Sequence, residues 1–405
     1  MLKKGVSLVF KIAFHHGRIR MARILKFFMW SVLFIGLTSC GQKPTPETVA
    51  PPVPVKVKLV PPIAPLPPEV VEPRAHKVGL LLPLSGPHAA LGKGMQEAAE
   101  MALFEAGASS IILLPQDTAR GAHAAALRAL DDGAEILLGP IFADEVETIK
   151  PLLSARKVSL VCFSTDQNVA GKGVYILGFL PSQQIERVMS FSQEKNLTKI
   201  AALLPDDQYG HLADAVLRRL ESKGTIHLVG TTRYTKGDLL EGNPGNARLI
   251  EDVANYKAKG MEALFIPEGG ENLAHLMNLL GSQMPLKILG SGQWDAPETL
   301  RISGLEGGLF ASTDPQERQN FEARFQKAYG TTPPRIATLA YDGTALAMAL
   351  ADKGYTPQNL TFSQGFSGID GIFRLTPQGL NERGLAILEI TPSGFRTVSP
   401  APQTF

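Results

Sequence analysis
The chain reads as an α/β protein of two lobes built on parallel sheets, and three observations predict it. From residue 78 onward, apolar runs of three to five residues alternate with amphipathic stretches of helical length, the pattern of strands buried on both faces and covered by helices. Some 329 residues follow His76, more than one hydrophobic core ordinarily holds, so two cores are expected. The loops after the apolar runs carry hydroxyls, amides and glycines. In open α/β sheets ligands bind beyond the carboxyl ends of strands, where helix N-termini present unpaired N–H groups, so any site is expected in these loops.

The chain opens on an address. Residues 1–39 hold seven basic residues and no acid; from Cys40 onward 33 basic residues face 38 acidic ones, a net charge of 33 − 38 = −5. That body lacks the clustered Lys and Arg that neutralise a nucleic-acid backbone, so no nucleic acid is expected as partner. From Met21, a more natural start, MARILKFFMWSVLFIGLTSC sets Arg23 and Lys26 before an apolar run of eleven residues, 27–37. A stable membrane span takes about 20, so the run predicts a secretory signal over 1–39 and not an anchor. Its end, Leu37-Thr38-Ser39-Cys40, resembles the lipobox of bacterial lipoproteins, which implies acylation of Cys40; Gly41 behind it, in place of Asp, leans toward the outer membrane.

A tether is expected over 40–76. Eleven of the thirty residues 44–73 are proline and none is glycine. Proline fixes φ and removes a donor, so this stretch is expected to be extended polyproline II, reaching on the order of 100 Å at about 3.1 Å per residue. Beyond it, strands are expected at 78–82, 111–114, 136–138, 158–162, 200–204, 226–229, 263–266 and 288–290, with helices near 92–106, 121–132, 143–155, 182–195, 209–223, 245–258 and 271–281. Toward its end the chain turns to short β-rich runs punctuated by Gly, Pro and Asn.

Catalytic patterns are not found. Ser291 and Ser367 lie near glycines without the Gly-x-Ser-x-Gly spacing of a strand-to-helix nucleophile, and Gly92-Lys93-Gly94 and Gly171-Lys172-Gly173 lack the spacing and hydroxyl of a phosphate cradle. The histidines are scattered without ligand spacing, so neither metal nor cofactor is expected. Cys162, at the apolar end of a strand, reads as a small buried residue, and Asp206-Asp207 as turn and cap. The loops around Ser85, Gly139-Pro140, Ser164-Thr165 and Tyr209 carry binding chemistry without a nucleophile and its base. An enzyme is not expected.

KVGLLLPLSGPHAALGKGMQEAAEMALFEAG, followed by EILLGP, VCFSTDQ, PDDQYGHLADAV, IATLAYDGTALAMAL and GIDGIFRLTPQG, resembles type I periplasmic binding proteins, the branched-chain amino acid receptors of ABC importers, over roughly 77–397. The resemblance implies two Rossmann-like lobes joined by three crossovers within 77–398: lobe 1 at 77–180 and 312–363, lobe 2 at 181–311 and 364–398, with 399–405 a tail. It further implies an inter-lobe cleft lined by Ser85, Ser164, Thr165, Tyr209 and Glu271. In those receptors hydroxyls after the third and fourth strands and an acid in lobe 2 hold an amino acid. Thr165 matches one hydroxyl, with Ser164 beside it, and Glu271 is the counterpart of the acid, but Ala143 stands at or near the place of the first Ser and the receptors' disulfide is missing.

LLLPLSGPHAALGKGM, LLPQDT, LLGPIFADEV and ALLPDDQYG resemble more narrowly the lipoproteins known as penicillin-binding-protein activators. That likeness implies a tethered periplasmic lipoprotein that stimulates a peptidoglycan synthase by contact. A solute receptor serving an ABC permease, with an amino-acid-like ligand, is the alternative.

Overall fold
A computed structural model describes residues 75–108, 110–281 and 287–405. The expected signal sequence, Cys40 and the proline-rich tether lie outside the described residues. In the first lobe, β1 (His76–Leu82), β2 (Ile111–Asp117), β3 (Ile136–Leu138), β4 (Ser159–Cys162) and β5 (Val174–Ile176) form a parallel sheet in the order β2-β1-β3-β4-β5. The continuous apolar run of β1 is explained by two cores. Val78, Leu80 and Leu82 enter the core on one face of the sheet, and Leu81 enters the core on the other. Each leucine so buried contributes about 1.5–3 kcal/mol.

Helices α1 (Ala89–Ala106), α2 (Ala122–Asp131) and α3 (Ala143–Arg156) cover this sheet. The start of α1 lies against the loop after β1, and Gly92 makes that possible: a Cβ built there would meet the Pro83 carbonyl oxygen at 2.1 Å. Gly139, after β3, has φ +83° and leaves no room for a side chain beside the Leu81 carbonyl. These glycines serve close packing.

The second lobe runs α4 (Pro181–Glu194), β6 (Lys199–Pro205), α5 (Gln208–Ser222), β7 (His227–Tyr234), α6 (Pro244–Ala258), β8 (Ala263–Phe265), α7 (Gly270–Leu280), β9 (Ile288–Leu289) and β10 (Leu309–Ser312). The chain then passes through α8 (Pro315–Tyr329), α9 (Ala337–Leu350), α10 (Pro357–Leu360), β11 (Phe366–Gly368), β12 (Gly371–Leu375), β13 (Asn381–Arg383), β14 (Ala386–Thr391) and β15 (Gly394–Ser399). The second sheet is mixed, in the order β15-β14-β10-β9-β8-β6-β7, with β14 antiparallel to β10 and to β15.

Five elements go beyond the runs read from the sequence: β5, β10, α8, α9 and α10. Helix α9 is apolar nearly all round, with Leu339, Ala340, Leu346, Ala347 and Leu350 in the core of the first lobe, so it shows no polar face to mark it. Residues 364–398, read from the sequence with lobe 2, divide. Strands β14 and β15 join the second sheet, whereas β11–β13 form a sheet of their own whose Phe373 and Leu375 pack in the core of the first lobe. No described helix is long and apolar enough to cross a membrane.

Candidate functional site
The chain crosses between lobes at 176–181, 312–315 and 383–386. Two of these connections leave from the carboxyl ends of β5 and β10, so the carboxyl ends of both sets of parallel strands border the junction of the lobes. The loops bearing Ser85, Ser164, Thr165 and Tyr209 follow the carboxyl ends of β1, β4 and β6.

On the first lobe, Asp117 at the end of β2 organises the loop after β1. Its Oδ1 accepts from the backbone N–H groups of Leu84 (2.9 Å), Ser85 (3.3 Å) and Ala119 (3.1 Å), and its Oδ2 accepts from the Ser85 hydroxyl at 2.6 Å. The Ser85 hydroxyl and these N–H groups hold its carboxyl below the usual carboxylate range, against an opposing push from burial. After β4, Ser164 is buried and its Oγ accepts from the Asp166 N–H at 3.1 Å, while Thr165 beside it is exposed. Crossover residue Gly178 is pressed on this turn, where an added Cβ would lie 2.1 Å from the Ser164 carbonyl oxygen.

On the second lobe, Asp207 caps α5 by accepting from the Gly210 N–H at 2.9 Å, which fixes Tyr209 in the first turn. The half-buried Tyr209 donates its OH to Ser291 Oγ at 2.8 Å, and burial pushes the phenol up to about 12. Glu268, after β8, accepts from the Tyr234 OH at 2.9 Å on one oxygen and from the Gly269 N–H at 3.2 Å on the other. Its carbonyl accepts from Trp294 Nε1 at 2.9 Å. Burial, with the Glu268 carboxylate next in effect, pushes the Tyr234 phenol far up, so both tyrosines stay neutral donors at physiological pH.

Tyr209 with Ser291 and Tyr234 with Glu268 form two hydrogen-bonded pairs, near enough that the Glu268 charge adds to the upward push on the Tyr209 phenol, while Ser85 is tied to Asp117 and Ser164 to its own turn. Glu271 stands apart, exposed on the first turn of α7 in a groove of about 670 Å³ with Ala274, Asn278, Glu298 and Arg301. Sequence reasoning passed over Glu268, three residues before Glu271, and met Ser291 only as the near miss of a hydrolase motif. Its signal was its place at the carboxyl end of an apolar run. Cys162 is fully buried and its thiol is pushed up to about 12 by that burial. Among the described residues no three metal-ligating side chains converge. The hydroxyls, phenols and carboxylates described above are hydrogen-bond donors and acceptors that can hold a polar ligand.

A sequence model of the family described as periplasmic binding protein matches residues 75–372. An uncharacterized protein of Rickettsia prowazekii (strain Madrid E) is 22% identical over 206 residues, a match spanning 50% of this chain and 55% of that protein. Among solved structures, a putative branched-chain amino acid ABC transporter from Rhodospirillum rubrum superposes with a TM-score of 0.71 at 19% identity, covering 80% of this chain and 100% of that one. The branched-chain amino acid transporter substrate-binding protein LivJ of Streptococcus pneumoniae, in complex with isoleucine, gives 0.59 at 17% identity, covering 81% and 99%. At these identities the likeness carries the fold, two α/β lobes with one parallel and one mixed sheet.

Proposed function
We propose, from the premise that this chain belongs to the periplasmic binding protein family, that it is a non-enzymatic recognition protein of the periplasm that stimulates a peptidoglycan synthase by contact. It is held to the outer membrane by lipid on Cys40 and lifted from it by the proline-rich tether. The observation that carries this reading is the condition of the first lobe's loops. Ser85 gives its one hydroxyl proton to Asp117 and has none left for a ligand carboxylate. Ala143 has no hydroxyl, and Asp144 and Glu145 already occupy the first turn of α3, where the helix dipole would otherwise favour an anion. A ligand carboxylate left one partner short loses about 1–3 kcal/mol, roughly 5- to 150-fold in affinity. The free α-amino acids of the family's importers are thus poorly served, while a protein partner needs no such anchor.

A second reading, a solute receptor that hands an amino-acid-like ligand to an ABC permease, is favoured by the transport proteins among the solved relatives. In that case Thr165 and Tyr209 contact the ligand with Ser85 and Ser164 behind them, and Glu268, beside Tyr234, takes the place expected of Glu271. Calorimetric titration of the chain with leucine and isoleucine separates the two. The activator reading expects no saturable heat; tight binding of either amino acid favours the receptor.

A further inference from the structure
Between the lobes lies a buried ionic cluster that none of the recognition chemistry uses. Asp295 belongs to the second lobe: it follows Trp294, which is fully buried in that lobe's core. Arg318 belongs to the first, on α8, whose Phe321 and Phe325 pack against Ala98 and Met101 of α1. Arg335 also belongs to the first, two residues before α9. Asp295 Oδ2 accepts from Arg335 Nε at 3.1 Å and from the Ser312 hydroxyl at 2.7 Å, and Arg318 Nη1 lies 2.7 Å from Oδ1 as an ion pair. The Asp295 side chain is 4% exposed and that of Arg318 is 9% exposed.

Arg335 reaches further. Its Nη2 donates to Thr313 Oγ1 at 3.0 Å, in the second crossover, and to Asp370 Oδ1 at 3.1 Å, in the turn between β11 and β12. Its guanidinium stands over the ring of Phe179, in the first crossover, at 4.5 Å from the centroid. One side chain therefore touches two of the connections between the lobes, the turn beside the third, and an acid of the opposite lobe.

We propose that Asp295, Arg318 and Arg335 form an inter-lobe latch that sets the angle between the lobes and so the shape of the cleft. Any rotation about the crossovers separates a lobe 2 carboxylate from two lobe 1 guanidiniums. A buried charge that loses its partner is strongly penalised, so the latch favours one angle over a continuum. Arginine is required at 335 because the planar fork and the stacking on Phe179 act together, and lysine supplies neither. The latch deepens the recognition reading, since the angle matters to function only if the cleft or its rim recognises something. Its test reads the angle itself, so either reading can fail without the other.

The test is a spin-label distance measurement on the full chain carrying Cys40→Ser, with nitroxides at Ala124→Cys and Lys223→Cys, exposed positions on opposite lobes. A second pair, Lys93→Cys with Ala124→Cys, lies within the first lobe and reports its integrity. The unaltered latch is expected to give one narrow inter-lobe distance. Asp295→Asn, Arg335→Gln and Arg335→Lys are each expected to shift or broaden that distribution and leave the intra-lobe distance unchanged. Ser312→Ala, which removes a single bond to Asp295, is expected to broaden it to a lesser degree and serves if the charge variants do not fold. Inter-lobe distributions identical to the parent in the folded variants would overturn the proposal.

Discussion
Asp117 is the side chain through which the first lobe's loop is most directly testable. It accepts four hydrogen bonds, from three backbone N–H groups and the Ser85 hydroxyl. Bonds to a charged acceptor are worth about 1.5–3 kcal/mol each when fully sequestered, which would sum to several times what one surface-proximal residue contributes. The side chain is 17% exposed, so water replaces part of what Asp117→Ala removes, and the expected loss is about 2–4 kcal/mol. Asp117→Asn keeps the shape and one carbonyl acceptor but not the charge, for an expected loss of about 1–2 kcal/mol. The pH dependence follows from the lowered carboxyl. Because the folded chain binds this proton more weakly than the unfolded chain does, the stabilisation is complete above the unfolded value of about 4 and is lost as pH falls through the folded value. Urea unfolding of parent and Asp117→Asn at pH 7 and in steps down to the acid limit measures both effects. The gap between them is expected at pH 7 and should close in acid. Equal stability at neutral pH, or a gap that acid leaves untouched, would refute the reasoning.

Other consequences are sharper in sign than in size. Tyr209→Phe removes the shorter of two hydrogen bonds to the fully buried Ser291 Oγ, leaving the Gln293 N–H at 3.4 Å, and is expected to lower stability by about 1 kcal/mol in the same assay; no change would mean that the Tyr209 bond contributes nothing. Gly92→Ala drives a methyl into a backbone carbonyl that cannot swing away, so a loss of about 3 kcal/mol is expected by thermal or urea unfolding, at the upper end of overpacking costs. In a Cys40→Ser background, Cys162 is expected to resist a thiol reagent at pH 8 in the folded chain and to react once unfolded, as its burial requires; equal rates in both states would contradict that burial.

Much of the architecture was legible because parallel strands buried on both faces must be continuously apolar. The runs at 78–82 and 200–204 show it, each splitting its side chains between two cores. Where the signal was weak, geometry was the reason. Helix α9 is apolar nearly all round, so it presents no helical periodicity of polar and apolar residues. The site was less legible, since its decisive contacts join positions far apart in the chain. Ser85 meets Asp117 across 32 residues, Tyr209 meets Ser291 across 82, and Arg335 meets Asp295 across 40. Residue types mark Ser85 and Tyr209 as loop polar groups. Only the folded backbone decides which hydroxyl is already spoken for, and which of two nearby acids, Glu268 or Glu271, turns toward the tyrosines.

The central claim, recognition of a wall-building enzyme without chemistry of its own, meets its most direct test in the rate of glycan-strand polymerisation by a purified peptidoglycan synthase. Adding the chain in equimolar amount is expected to raise that rate. An unchanged rate, with the same preparation binding a free amino acid tightly, would contradict the account and leave solute capture in its place.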